Sequence, residues 1–282
     1  MQDWLGLPLN AAAHGDKIDV LLLLMHILMV VLFVGWGAFF LYLLFRFRRG
    51  RNPQANYHGV KSHASSYIEV AIAFCEVVLL VGLSIPFWSW KVSAFPTDPD
   101  TVRIRVIGQQ FAWNMQYPGP DGIFGATKIE LVNEESNPIG LDREGDPHAK
   151  DDIVTVNQLH IPVDTPIILD LSTKDVIHGF SLPLLRVKQD MIPGMTIPIH
   201  FVATQTSDQL REQMVRTLTL PTEDSLLGLI AMAEYQDAAG KVILKKGQSV
   251  RSSTVEKLVA AGINEIQIGP RYAAEIACAQ LC

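Results

Sequence analysis

From Val20 to Phe45 no side chain is charged. A membrane-spanning helix needs about 20 apolar residues in a row. A second apolar run, Val70 to Trp90, carries one charge, Glu76. After Lys91 the chain turns to an ordinary polar–apolar mix. The pattern predicts transmembrane helices over 18–46 and 67–91. Beyond them the period shortens to two. Thr101–Ile107 alternates polar and apolar with β-branched residues, which predicts a strand buried on one face. Gly108 ends it, and Pro118-Gly-Pro-Asp-Gly122 is a turn cluster. Residues 132–152 read as a long polar, mostly acidic loop. Strands are predicted again at Ile153–Val156, Gln158–Ile161, Pro166–Leu171 and Met195–Val202. Short strands at even spacing, with Gly and Pro between them, argue a β-sandwich or barrel.

Residues 205–270 carry a different pattern. Ser207–Leu218 has Leu210, Met214, Val215 and Leu218 at helical spacing. Leu226–Tyr235 and Lys241–Leu244 flank an Asp237–Gly240 turn and predict a hairpin. Ser253-Thr-Val-Glu256 has the form of a capping box, with Gly262 placed to end the helix. Ile263–Ile268 predicts a last strand. The expectation is a small folded α+β module, faintly like barrel-hybrid modules, with no ligand cluster.

Composition agrees with a mixed protein: 49% hydrophobic and 18% charged residues is too apolar for an average soluble domain and too charged for an all-membrane one. The first run exceeds a signal-peptide core, and its basic flank follows it, so it reads as a retained helix. The loop 47–66 and its edge hold Arg46, Arg48, Arg49, Arg51 and Lys61, with no acid between Arg46 and Tyr67. The N-terminal flank holds Asp3, Asp16 and Asp19 against Lys17. The positive-inside rule makes the loop cytoplasmic. Segment 1–17, both termini and the β domain are then periplasmic, in a two-pass protein of a bacterial inner membrane. Trp88 and Trp90 read as interfacial anchors.

Glu69 and Glu76 lie two helical turns apart, on one face, with Glu76 about 10 Å deeper. Stranding a carboxylate in lipid costs at least ~2.5 kcal/mol. Both are candidates for a proton path; a protonated carboxyl capped by a neighbouring helix is the other reading of Glu76. Cys75 and His26 read as packing residues.

The sequence has three cysteines, and two of them, Cys278 and Cys282, stand four positions apart. Thiolates are soft ligands that select copper or zinc. The pair could serve one metal, bridge two, or form a disulfide outside the cytoplasm. His178, taken alone, reads as a buried hydrogen-bonded histidine. The acidic loop could steer a basic partner or be a solvated face.

Three motifs together carry a resemblance. Asp175-Val-Ile-His178-Gly-Phe, Lys188-Gln-Asp190-Met-Ile-Pro193-Gly194-Met and Cys278-Ala-Gln280-Leu-Cys282 resemble subunit II of haem–copper cytochrome c oxidases of the bacterial type. The resemblance covers nearly the whole chain except the 205–270 insertion. It implies a cupredoxin β-barrel, formed here by 98–204 and 271–282, that holds a dinuclear copper centre, CuA. His178 would ligate through its imidazole, Cys278 and Cys282 as bridging thiolates, and Gln280 through its backbone carbonyl. The family takes electrons from cytochrome c and passes them to haem in subunit I, where oxygen is reduced to water and protons are pumped. The oxygen site is therefore in another chain. Subunit I, other oxidase subunits, cytochrome c and membrane lipid are the implied partners, with no nucleic acid. Asp190 would lie at the subunit I interface, with turn capping as the plainer role. Glu69 matches the family's glutamate at a proton-channel mouth and stands 17 residues before Pro86. Glu76 matches no family carboxylate. The insertion is expected to dock a neighbouring subunit, a further respiratory complex or a donor cytochrome.

Three departures stand out. The family has a further His four residues and a Met seven residues after the second cysteine, so those ligands are expected beyond Cys282. Gln280 replaces a glutamate that reaches a magnesium shared with subunit I, leaving an uncharged carbonyl oxygen for such an ion. Phe111-Ala-Trp113 replaces a Trp-x-Trp patch. Phe111 and Trp113 are the electron-uptake candidates, with core packing the other role for Trp113. Two other functions fit parts of the pattern. A quinol-oxidase type of subunit II has no copper and normally lacks these thiols. A membrane-tethered copper-binding protein would need neither Glu69 nor Glu76.

Overall fold

The computed structural model describes residues 6–54, 57–58, 62–220 and 229–270. The chain divides into two compact units, one of Met1–Leu7 with Asp16–Phe95 and one of Pro8–Gly15 with Pro96–Cys282.

The first unit is helical. Helix α1 spans Gly15–Arg46, and Ala64–Ser93 forms a second long apolar helix; both are long enough to cross a membrane. The second has three parts: α2 (Ala64–Val77), a π-helical stretch Val78–Ser84, and α3 (Ile85–Ser93). The π stretch has a local cause. Pro86 has no N–H, and its ring crowds the carbonyl four residues back. A wider turn ahead of it relieves that crowding. The Ile85 N–H accordingly donates to Leu80, five residues back, and the Ser84 hydroxyl to the Leu79 carbonyl at 3.0 Å. His26 bonds within its own helix, Nδ1 lying 2.7 Å from the Leu22 oxygen.

The second unit is built on a five-stranded sheet, ordered β3-β2-β1-β4-β7. The strands are β1 (Val102–Gln109), β2 (Ala112–Tyr117), β3 (Ile153–Val156), β4 (Pro166–Thr173) and β7 (Ile197–Val202). β1 and β4 run parallel and the other pairs antiparallel. A separate hairpin joins β5 (His178–Leu182) to β6 (Val187–Met191). The alternation in β1 sends Ile104, Val106 and Gly108 inward. They meet Met115, Leu169, Leu171, Phe180 and Phe201 in one core. The expected strand at Gln158–Ile161 does not form. Asn157, at φ 55°, turns the chain there, and Thr155 Oγ1 bonds the Gln158 carbonyl at 2.6 Å.

The outer face of the sheet is polar and covered. Arg103 holds Asp170 through two nitrogens at 2.6 and 3.0 Å. Arg105 reaches Gln116 at 3.1 Å and lies 4.4 Å over the Phe124 ring. Gln116 Nε2 and the Gly125 N–H both donate to Asp152. Residues 132–152 are therefore more than a solvated acidic loop. Ile139, Leu141 and Ala149 form a small core of their own. Asp142 pairs with Lys128 at 2.6 Å, and Asp146 caps a short 3-10 turn.

The segment Pro8–Gly15 belongs to the β unit, which its sequence does not announce. Ala11 and Ala12 are buried. Ala12 bridges Ala203 antiparallel. The Ala11 N–H donates to Leu184 and its carbonyl accepts from Thr204, each at 2.8 Å. Arg186 holds the Pro8 carbonyl at 2.6 Å.

The insertion folds around a second core. Helix α4 covers only Ser207–Gln213, and strand β8 follows at Arg216–Thr219. The helical spacing through Leu218 overreaches because two cores compete for those apolar residues: Leu210 packs into the main core and Leu218 into the insert's. The remaining elements are β9 (Leu229–Ala231), β10 (Tyr235–Gln236), β11 (Val242–Leu244), α5 (Ser252–Ala260) and β12 (Glu265–Pro270). β8, β12 and β9 form one antiparallel sheet, and β10 and β11 pair across the Asp237 turn; of the arm expected at Leu226–Tyr235, Tyr235 joins that hairpin while Leu229–Ala231 pairs with β12. The capping box expected at Ser253–Glu256 is absent; Arg251 is the N-cap, with no side-chain cap. Buried Val250 and Val255 flank that start as a hydrophobic staple. A capping box instead opens α4, between Thr206 and Gln209. Gly262 ends α5 at φ +78°. Its N–H bonds Val259, and that of Ile263 bonds Leu258, the pattern of a Schellman motif.

Candidate metal-ligand site

Strand alternation decides where His178 points. It opens β5 opposite Met191, and His178, Phe180 and Leu182 face inward. The imidazole is 2% exposed. Trp113 stands edge-on to it with centroids 5.8 Å apart, and Phe180 packs on Trp113 at 5.6 Å. Gly108 makes room: a Cβ there would lie 3.2 Å from His178 Cδ2. The glycine at the end of β1 thus permits close approach of the ring.

Asp175 fixes the ring. Its Oδ1 lies 2.7 Å from His178 Nε2. The same carboxylate accepts the Gln110 N–H and the Val176 N–H, each at 2.7 Å. Burial pushes the Asp175 carboxyl up, but the bonds from His178, Gln110 and Val176 outweigh it and hold the group well below the usual carboxylate range. The sequence motif contains Asp175 without announcing its role. The available signal is a carboxylate three residues before a candidate ligand histidine.

The other expected positions spread out. Phe111, in the β1–β2 turn, is 78% exposed, whereas Trp113 is 4% exposed and part of the core. The amide before Phe111 is the one that Asp175 accepts, so the turn and the histidine share an anchor. Asp190 is exposed on β6, paired with Gly179. Glu69 and Glu76 are both exposed on α2. Cys278, Gln280 and Cys282 lie outside the described residues. Among the described residues no group of three or more His, Cys, Asp or Glu could hold a metal ion. His178 nonetheless has what a ligand histidine needs. It is a buried imidazole with one nitrogen bonded to a carboxylate, one of the partners that the second nitrogen of a metal-bound histidine commonly has.

Residues 102–209 match the family model for the periplasmic domain of cytochrome c oxidase subunit II. The alternative cytochrome c oxidase subunit 2 of Bradyrhizobium diazoefficiens is 30% identical over 229 residues, 80% of this chain and 75% of that protein. The chain belongs to the cytochrome c oxidase subunit II family. Subunit 2 of Synechocystis sp. is 28% identical, over 70% of this chain and 64% of its own length. The crystal structure of the periplasmic domain of subunit II from Bradyrhizobium japonicum shares 22% identity at a TM-score of 0.26, covering 58% of this chain and 94% of that one. As a subunit II, the chain is a membrane-anchored part of an oxidoreductase complex. The family generally carries CuA in this domain. Of the four residues expected to supply ligands, His178 is the one that falls among the described residues.

Proposed function

We propose that this chain accepts electrons from cytochrome c and passes them to haem in subunit I, through a dinuclear copper centre held by His178, Cys278, the Gln280 carbonyl, Cys282 and ligands beyond. When bound, that copper pair supplies a one-electron store with little change of geometry between its two oxidation states. The observation that carries the reading is the buried His178 imidazole, held by Asp175 and packed against Gly108 of β1. With Nε2 on the Asp175 carboxylate, Nδ1 would be the ligating atom in this reading. Trp113, Phe180 and Gly108 exclude water around the ring and fix its plane. Phe111 offers an exposed apolar contact for a donor protein beside that site, and Asp190 a polar one for subunit I. Gln280 would meet a shared magnesium as a neutral oxygen.

Chain continuity supports the two-pass topology. Segment Pro8–Gly15 is part of the β unit, and α1 starts at Gly15. The helix ending at Ser93 runs into the same unit at Pro96. Each helix is thus joined along the chain to that unit by the end away from the Arg-rich loop, which supports a periplasmic domain and a cytoplasmic loop. Glu69, near that loop, would take up protons. The 205–270 module would dock a neighbouring subunit or donor cytochrome through polar contacts, since none of its described large apolar residues is exposed.

The test is copper content and the near-infrared mixed-valence band of the purified complex, with haem measured alongside. Cys278→Ser should lose the copper centre while both helices stay inserted. A purple copper spectrum surviving in that variant would overturn the assignment. A wild-type complex without copper would favour the quinol type; copper without a co-purifying haem subunit would favour a tethered carrier.

A further inference from the structure

Glu76 is the acidic group of the second span that matches no family carboxylate. The backbone is regular α-helix from Ala64 through Val77. At 100° per residue, Ser65, Ser66, Glu69, Ala73 and Glu76 then share one face. Tyr67, Ala71 and Phe74 occupy the opposite one. The helix thus has a large apolar side and a side of small and acidic residues. The π stretch begins at Val78, and every residue from there to Leu83 is apolar or glycine. The polar face therefore starts near the Ala64 end, runs about 15 Å from Ser66 at 1.5 Å per residue, and stops at Glu76.

A face of this kind is not a lipid face. Two carboxylates turned to acyl chains would each cost at least ~2.5 kcal/mol. In the assembled oxidase it must lie against protein. A single carboxyl capped by a neighbouring helix would need no second acid a fixed two turns away. It would also not need Ser65, Ser66 and Ala73, whose small side chains leave room for water beside the helix.

We propose that Glu76 is a proton-carrying group that takes protons entering at Glu69 and hands them to the oxygen-reducing subunit covering this face. The inference rests on the function proposed above. The step is one proton in and one out: the Glu76 carboxylate binds a proton arriving from the Glu69 side and becomes a neutral carboxyl. It then releases the proton to a hydrogen-bonding or basic side chain, or a water, that the covering subunit presents at that depth. Oxygen reduction consumes the proton, and no electron passes through Glu76.

The test uses the complete purified oxidase. Glu76→Gln keeps shape and hydrogen bonding but cannot carry a proton. It should slow turnover at least about tenfold, within or below the ~10²–10⁴ that a positioned proton-transfer group contributes. Copper absorption, reduction of the copper by cytochrome c, and haem content should stay at wild-type levels. Glu76→Asp should recover most of the rate with a shifted pH profile. The double variant with Glu69→Gln should be no slower than the slower single one, because both lie on one path. Wild-type turnover in Glu76→Gln, or losses that multiply in the double variant, would overturn the proposal. If Glu76→Gln does not assemble, the aspartate variant decides: a pH profile identical to wild type counts against it, a displaced one for it. Failure of the wild-type complex to oxidise cytochrome c would instead sink the underlying function.

Discussion

The sheet domain and the 205–270 insertion are both small β-rich bodies, held in opposite ways. The sheet domain is tied by directional contacts between residues far apart in sequence: Arg103 to Asp170, Gln110 to Asp175, Trp113 to Asn157, Gln116 to Asp152. In the insertion the described side-chain bonds are mostly local, such as Thr206 with Gln209 and Asp237 with its own turn. The Tyr235 hydroxyl with the Gln267 N–H is an exception. The insertion relies on its apolar core of Leu218, Ala231, Leu244, Leu258, Ile266 and Ile268. Apolar packing is non-directional and suffices to close a module. Setting a ligand's ring plane takes hydrogen bonds with fixed angles. The insertion also leaves and returns by neighbouring strands, Arg216 of β8 opposite Ile268 of β12. Paired strands lie about 5 Å apart, so a whole module can interrupt the chain there between ends that stay close together.

Breaking the insertion's core is the most severe test of that independence. Leu258 is fully buried in the insert's core. Leu258→Ala should remove about 2–5 kcal/mol from that core and lower the melting temperature of the insertion. Copper content should be unchanged. Copper lost together with the module would mean the two regions are one cooperative body. Turnover with the donor cytochrome should fall if the module docks a partner; an unaltered rate would remove that role.

The complementary change strikes the sheet domain at its anchor. Asp175→Asn keeps the shape of the side chain but removes the charge that faces His178 and two backbone N–H groups. Loss of such a supporting group typically costs 10–100-fold in metal affinity. Copper retention under competing chelator should fall by about that factor, with the insertion's melting untouched. An unchanged copper affinity would show that packing by Trp113 and Phe180 alone orients the ring.

The same contrast explains what can be read from the chain. The two spans are legible from uninterrupted apolar length, β1 and β4 because burial on one face imposes a period of two, and the Asp237 hairpin from its turn residues. Gln158–Ile161 has the apolar alternation of a strand, but Asn157 in a left-handed conformation and a side-chain bond from Thr155 turn it aside. Leu9-Asn-Ala-Ala-Ala shows no strand pattern at all; Ala11 and Ala12 are buried because Leu184, Val202 and Thr204 offer them backbone partners. The sequence misplaces the start of α5 because Val250 and Val255 packing outweighs an apparent capping box. His178 is identified by its motif, while Asp175 and Gly108, which set its geometry, stand out only once the strands are paired. Cys278 and Cys282 lie outside the described residues.

The mildest contrast is in pH. Around 118–152 the sheet domain leans on charges. Asp142 is held below its ordinary value of 3.8 by the Lys128 bond and the Gly145 N–H. Asp146 is lowered by the Ala126 and His148 N–H groups, and Asp121 by the His148 ring and the Ile123 N–H. A carboxyl depressed in the folded state stabilises it above the unfolded value and loses that contribution as pH falls through the folded one. His148 runs the other way: the Asp121 bond raises it above 6.5, so its share is complete below 6.5 and fades as pH climbs through the raised value. The segment should therefore be held best between the carboxylate range and about 6.5. Amide exchange can follow this directly, because Ile123, Ala126, Gly145 and His148 donate to those carboxylates. Their protection should drop below about pH 4, and more gently above neutrality for Ile123. The β8–β12 ladder of the insertion, with Leu218 opposite Ile266, serves as the reference within the same molecule. Parallel loss in both places would mean acid loosens the whole unit, and the 118–152 charges would then have no separate part in holding the sheet's outer face.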